Sequence, residues 1–499
     1  MSQSYRNPVI PGDHPDPSII RVGKQYWATS TTSEWAPIFP LLRSDDLVNW
    51  RVAGSIFPSA PAWSRGSYWA PELSEYQGRF FLYYAARNHQ GILCVAVATS
   101  DNMEHPFHDH GPLICQEDGS IDPVTAIDEH GRRCLIWKED GNSRHLHTPI
   151  WAQPLSPDGT KLTGIRTQLI TNDAPWEGPV VEGPFIVKRD GFFYLFYAGA
   201  GCCGINCDYK VGVARAKNLL GPWQKNPGNP IVSSNDSWRC PGHGSIVADP
   251  SGREFFLYHS YPQVGFFFVG REAMLDEIVW DQDGWPHVNR GSGPSVSAAS
   301  PLGAPQKPQP IIDDFDCATL SLNWQWSWRN PPIVSVRGDG NLHLRPRKQE
   351  SNDMLGGVLA QVVPSPHYRA SVDLVTSSLT GDMTAGLSGY GQPHDAIGIA
   401  YKQNAVFVFR RRDNKTLETA RAAIPSAKIL HLKIEVKQGN DYQFWFAADD
   451  GPWRELQERV AGADLPPWDL AVRAALICGG LPNKDAVFRH FRLENLNRE

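Results

Sequence analysis

The sequence predicts an all-β protein, a five-bladed β-propeller followed by a β-sandwich. Three observations carry that prediction. Five segments, each a turn glycine leading into a dense aromatic or β-branched strand, recur through the first part of the chain at intervals of 53 to 61 residues. Helical periodicity is almost absent, while strand signals return roughly every 8 to 12 residues. A Gly/Ser/Pro/Ala-rich stretch then separates the repeats from a second half with period-two alternation.

The turn glycines are Gly23 in GKQYWATS, Gly78 in GRFFLYYAA, Gly131 in GRRCLIWKE, Gly191 in GFFYLFYAG and Gly252 in GREFFLYHS. Each sits where a tight hairpin calls for a positive φ, which glycine adopts without steric cost. The interval between them holds four short strands. A four-stranded unit repeated five times is the signature of a five-bladed propeller. A second echo, RSDDLVNW, TSDNMEHPF and AKNLLGPW, closes the first, second and fourth repeats. Residues 1–292 are assigned to the propeller. Residues 293–310, within GSGPSVSAASPLGAPQKPQP, have linker composition. Residues 311–499 follow as a sandwich, because YRASVDLV, AIGIAYK, AVFVFRRR, LHLKIEVKQG, YQFWFAADDG and VFRHFRLEN alternate between Gly/Asp turns.

Composition narrows the function. The chain of 499 residues carries 47 basic and 53 acidic side chains, a net charge of −6. That is no footprint for nucleic acid and no polybasic patch for a membrane surface. No stretch approaches the apolar length of a membrane span. The 18 Trp, 15 Tyr and 21 Phe suit stacking against sugar rings as well as β-sheet cores. The first residues lack a basic region followed by an apolar run, and the nine cysteines are mostly scattered singly. Both point to a reduced, cytoplasmic setting. The exception is GCCGINC, with Cys202, Cys203 and Cys207. No His/Cys pair at zinc-finger spacing accompanies it, which favours a vicinal disulfide or a tight structural turn over a zinc site.

The strand preceding each turn glycine lies nearest the axis of a propeller. These strands read HPDPSII, WAPELSEY, SIDPVTAI, VEGPFIV and GHGSIVA. Each opens on an ionisable residue, Asp16, Glu72, Asp122, Glu182 and His243, six to nine positions before its glycine. Equivalent positions around an axis make a ring at one end of one channel. Any single Asp-Pro or Glu-Gly-Pro is ordinary turn vocabulary; recurrence at equivalent positions is not. Carboxylates crowded in a partly dry cleft have their pKa values driven apart, so one site holds an acid and a base at the same pH. Two such groups flanking a sugar linkage suffice to hydrolyse it.

The segments NPVIPGDHPDPSIIRVGKQYWATSTTSEW, YWAPELSEYQGRFFLYYA, SIDPV, VEGPF, PGHGSIV and VGREAMLDEIVWDQDGWP together resemble glycoside hydrolase family 43. The resemblance runs in order over about residues 7 to 290. It implies a propeller of inverting hydrolases that act mainly on arabinose- and xylose-containing glycans and need no cofactor. By that resemblance Asp16 is the general base, Glu182 the general acid, and Asp122 the carboxylate that orients the acid and raises its pKa. His243 matches a histidine that binds a calcium ion or water in some members, and Arg271 in VGRE a substrate-contacting arginine. Trp35, Trp69 and Glu72 are expected to line the cleft. An inverting pair implies roughly 6.5–9.5 Å between Asp16 and Glu182. The Asn-Asp-Pro and Arg-Asp-Pro motifs of five-bladed enzymes that cleave fructosyl bonds are both missing.

DDFDCATLSLNWQWSWRNPP resembles the opening of the concanavalin-like jelly roll that follows the propeller in many β-xylosidases and α-L-arabinofuranosidases of the family. There one loop narrows the cleft to a pocket, which implies exo action on an oligosaccharide; paired sandwiches are compatible with a homo-oligomer. Ser33 in TTSEW stands where family xylosidases carry an aromatic, and GAGCCGINCDYKVGVARAKNLLGPW is closer to arabinan-cleaving relatives. An arabinan-cleaving or galactosidase-type member is therefore a second reading. A non-catalytic glycan-binding propeller is a third, disfavoured by the presence of Asp16, Asp122 and Glu182 together.

Overall fold

The computed structural model describes residues 4–302, 309–347, 353–424, 427–462, 464–466, 468–480 and 485–496. Five four-stranded antiparallel sheets occupy the first part. Their inner strands are Ser18–Val22, Trp69–Tyr76, Ser120–Ile127, Val181–Arg189 and Trp238–Ala248, in blades one to five. All five turn glycines have positive φ, between 61° and 87°. No neighbour lies within 4 Å of a Cβ built on any of them, so conformation and not space demands glycine there. In blades two and four the turn residues Gln77–Gly78 and Asp190–Gly191 both have φ above zero, the twist-matched hairpin geometry. Blades three and five use longer turns instead. There Asp128 accepts from the N–H groups of His130 and Arg132, and Asp249 accepts from those of Ser251 and Arg253.

Cores form between blades. Val124, Ile136 and Ile150 of blade three pack with Val181, Leu195 and Tyr197 of blade four, and Phe196 and Val213 of blade four pack with Phe256 and Met274 of blade five. The seam between blades five and one holds Ile19, Tyr26 and Leu42 against Val247, Leu257 and Leu275, together with Tyr5, Val9 and Ile10. The ring is closed there by the N-terminal segment. Ser4–Arg6 pairs with Ser297–Ala299, and the Asn7 side chain donates to and accepts from the Leu275 backbone. Part of the stretch expected to be linker is therefore a strand; residues 303–308 lie outside the described residues.

The second unit is a two-sheet sandwich. One sheet runs Ile333–Val336, Leu342–Arg345, Ala486–Asn495, Tyr368–Val375, Ile429–Lys437, Asp441–Ala448 and Arg454–Ala461, with Ile311–Asp313 also on Ala486–Asn495. The other runs Gly357–Val362, Arg473–Gly479, Thr384–Gln392, Asp395–Lys402, Ala405–Arg412 and Lys415–Ala423. Alternation is strict in Tyr368–Val375, whose Tyr368, Ala370, Val372 and Leu374 enter the core while the residues between them face outward.

Six of the nine cysteines are paired, as Cys94–Cys115, Cys202–Cys203 and Cys207–Cys240. Cysteines scattered singly in sequence meet in space: Cys94–Cys115 joins neighbouring strands of blade two, and Cys207–Cys240 joins a loop of blade four to the inner strand of blade five. Cys202–Cys203 is the vicinal bridge.

Two outcomes follow from the fold. Gly191→Ala should lower stability by about 1–2 kcal/mol, the cost of a left-handed backbone for a residue with Cβ, and Gly191→Asn by less; calorimetric melting checks both. Thiol titration of the unreduced, denatured protein should find three free cysteines, Cys134, Cys317 and Cys478, whereas nine would fit a chain kept reduced where it works.

Candidate active site

Every inner strand carries at or near its entrance a residue in the left-handed region: Asp16, Ala70, Asp122, Gly183 and His243, with φ of 52°, 43°, 55°, 58° and 40°, and Cys240 in blade five is a second. In blades two to five the ladder register shifts across this residue, a β-bulge. Proline follows it in blades one to four, as Pro17, Pro71, Pro123 and Pro184, and withholds a ladder N–H at the same point. A bulge re-aims side chains and is frequent beside active sites. The equivalence expected from sequence is corrected in two blades. Glu182 stands one residue before the bulge position and Glu72 two residues after it.

That offset decides what Glu72 does. It lines a cavity of about 360 Å³ farther along the channel, with Ile19, Val124, Phe185 and Val247 from the other four blades. Ser245 Oγ donates to its Oε2 at 3.0 Å. Burial pushes its carboxyl up to about 8, opposed by hydrogen bonds from Ser18 and Ser245. Glu72 is thus a channel residue and not a neighbour of the other carboxylates.

Asp16, Asp122 and Glu182 are all buried, at 9%, 5% and 9% exposure. Asp16 is the most heavily compensated. Its Oδ1 lies 3.0 Å from Arg271 Nη1, 3.2 Å from His259 Nδ1 and 3.5 Å from His243 Nδ1. Thr31 Oγ1 donates to its Oδ2 at 2.7 Å, and its own N–H donates to His259 Nδ1 at 3.1 Å. Burial raises its pKa, but Arg271, the His259 contact and His243 outweigh that and hold the carboxyl well below the usual range. Burial lowers His259 to about 4, which leaves that ring neutral at pH 7.

Asp122 faces the same imidazole, with Oδ2 3.8 Å from His243 Nδ1, and accepts the Gly183 N–H at 2.8 Å. Burial pushes it up to about 6, with the Glu182 and Asp16 charges adding to the rise. Glu182 moves the other way. Burial raises it, yet Lys138, 2.6 Å from Oε2, and Tyr209, donating to Oε1 at 2.8 Å, bring it below its usual value. Glu177, five residues earlier and buried, belongs to a separate cluster with Tyr197 and Lys225.

His243 therefore sits between two carboxylates. Among the described residues no group of three or more His, Cys, Asp or Glu side chains is arranged to hold a metal. Arg271 is beside Asp16. Trp69 is half-buried at its blade entrance and donates to Ser33 Oγ at 3.0 Å. Trp35 is buried, at 3% exposure.

Four residues of the cluster escape a reading of inner strands alone: Thr31, Lys138, Tyr209 and His259. Lys138 and His259 are near the ends of second strands, which return antiparallel to the entrances of the first. Lys138 pairs with Ile121, next to Asp122, and His259 with Gly242, next to His243. The signal was present as an ionisable residue ending an apolar run, Lys138 in CLIWKE and His259 in FFLYHS.

The family model described as glycosyl hydrolases family 43 matches residues 5–286, and that of the beta xylosidase C-terminal concanavalin A-like domain matches residues 312–467. Xylosidase/arabinosidase 43B of Humicola insolens is 27% identical over 480 residues, 89% of this chain and 87% of that protein. A xylan 1,3-beta-xylosidase of a Vibrio species is 30% identical over 391 residues, 69% of this chain and 71% of its own. The crystal structure of the family 43 protein BlXynB of Bacillus licheniformis superposes with a TM-score of 0.85 at 24% identity, covering 98% of this chain and 99% of its own.

Gly183 tests the geometry. Its φ of 58° and a Cβ that would come 2.9 Å from His243 Cγ both exclude a side chain. Gly183→Ala should displace the imidazole between Asp16 and Asp122 and reduce kcat/KM about 100-fold, the usual consequence of misplacing a site by an ångström, with melting showing the propeller retained.

Proposed function

The chain belongs to glycoside hydrolase family 43, and on that premise we propose an inverting exo-glycosidase that releases a terminal α-L-arabinofuranose or β-D-xylose from oligosaccharides. The observation that carries the reading is one buried cluster in which Asp16, held ionised, and Asp122 flank the His243 imidazole while the Glu182 charge acts on Asp122. The identities of relatives named for xylosidase and arabinofuranosidase activity support the sugar class.

Asp16 acts as general base. The Arg271 guanidinium, with the Thr31 hydroxyl, keeps it ionised, so it accepts a proton from water poised to attack the anomeric carbon. Glu182 acts as general acid and gives its proton to the departing oxygen. Asp122 and Glu182 titrate as a pair, and turnover requires the pair's proton on Glu182. The sign follows. A base held far down leaves activity intact at mildly acidic pH, and activity is lost as pH rises through the pair's titration.

Nitrophenyl α-L-arabinofuranoside and β-D-xylopyranoside, with the corresponding disaccharides, test this. One pentose should be released, its anomer initially inverted by NMR. Glu182→Ala should lose about 10² to 10⁴-fold on the disaccharide, the range for a general acid, and less on the nitrophenyl glycoside, whose leaving group needs little protonation. Release of neither pentose would overturn the substrate assignment and move it to arabinan or galactosides.

A further inference from the structure

Lys138 is 1% exposed, at the end of the blade-three strand Arg133–Glu139. Its Nζ lies 2.7 Å from Asp140 Oδ1, 3.0 Å from Asn142 Oδ1 and 2.6 Å from Glu182 Oε2. Three donors meet three acceptors, so the ammonium is fully engaged. A lysine buried for structure alone needs one carboxylate partner, and Asp140 supplies it. The bond to Glu182 is additional.

We propose that Lys138, tethered by Asp140, is the positioning residue that fixes the Glu182 carboxylate and governs its readiness to donate a proton. The proposal rests on the acid role given above. With Lys138 on Oε2 and Tyr209 on Oε1, both oxygens of Glu182 accept from donors. A proton on Oε1 can be accepted by the Tyr209 hydroxyl if that hydroxyl reverses, whereas the ammonium on Oε2 has no acceptor and can only donate. Protonating Glu182 therefore reverses the Tyr209 bond and weakens the charge-assisted bond from Lys138, and the ammonium charge opposes it. The other groups facing Glu182 are Asp122 and His243, with Asp16 beyond; the Tyr209 hydroxyl, pushed well up by burial and by the Glu182 charge, remains a neutral donor. Asp140 opposes Lys138, since it shares the ammonium.

The pH dependence of kcat/KM, which reports the free enzyme, separates positioning from scaffolding. In Lys138→Met the alkaline limb should move up by about one to three pH units, the effect of removing an opposite charge at contact, with kcat reduced. In Asp140→Asn the same limb should move down, because Glu182 then has the ammonium's charge unopposed. Lowered amplitude with both limbs unmoved would assign Lys138 a structural role and overturn the proposal. An infrared titration of the Glu182 carboxyl, identified by its loss in Glu182→Gln, should show the same opposite shifts. It does so without turnover, so a wild-type enzyme inactive on pentosides would defeat the function reading while leaving this test standing.

Discussion

Three carboxylates placed below one-tenth exposure around one channel end are the constraint on which the rest of the propeller depends. An isolated ionised carboxylate in such a place is unstable by several kcal/mol, and a pair of them is worse. The cluster resolves this unequally. Asp16 receives an arginine, two imidazoles and a hydroxyl, Glu182 receives an ammonium and a phenol, and Asp122 receives an imidazole and a backbone N–H. Inequality of compensation, and not proximity alone, separates their proton affinities. Asp16 and Glu182, the better compensated, are both held below the usual carboxylate range, and Asp122, the least compensated, is pushed above it.

The architecture explains how so many compensating groups reach one place. Each inner strand delivers one bulge residue, and each second strand returns its last residues alongside. Blade three thus supplies both Asp122 and Lys138, and blade five both His243 and His259. Glycine appears where these layers touch. Gly242 admits the Tyr209 ring, to which a Cβ would come within 2.3 Å, and that ring stacks 5.6 Å from His259. The Cys207–Cys240 bridge joins the segment carrying Tyr209 to the strand carrying His243. Groups on opposite carboxylates are held by one continuous stack.

Much of the fold was legible because a repeat writes the same physical demand five times. A hairpin needing φ above zero selects glycine each time, so Gly23 to Gly252 announce the blades. Asp16, Asp122 and His243 were legible for the same reason, each opening an apolar strand. What was not legible depends on offsets smaller than a strand. A bulge shifts the face presented by the residues after it, so Glu72 and Glu182, which look alike in sequence, are sent to different parts of the channel. Lys138 and His259 enter through pairing between strands, and a single sequence does not state register; Tyr209 enters from the loop just before Lys210–Ala216. The long-range cysteine pairs were hidden for the same reason as the register.

The closing strand has a consequence in time. Ser297 Oγ donates to the Tyr5 carbonyl across 292 positions of chain, and Ser4–Arg6 pairs only with Ser297–Ala299. Synthesis at about 5–20 residues per second therefore delays the ring's closing contact by about 15–60 s after the N-terminal segment emerges from the ribosome. Through most of that interval the apolar edge of blade one, with Ile19 and Leu42, has no blade five to cover it, because Val247, Leu257 and Leu275 are made late. The nascent propeller is an open arc whose leading edge is an invitation to chaperones, and its N-terminal strand is the last piece of the ring to find its place.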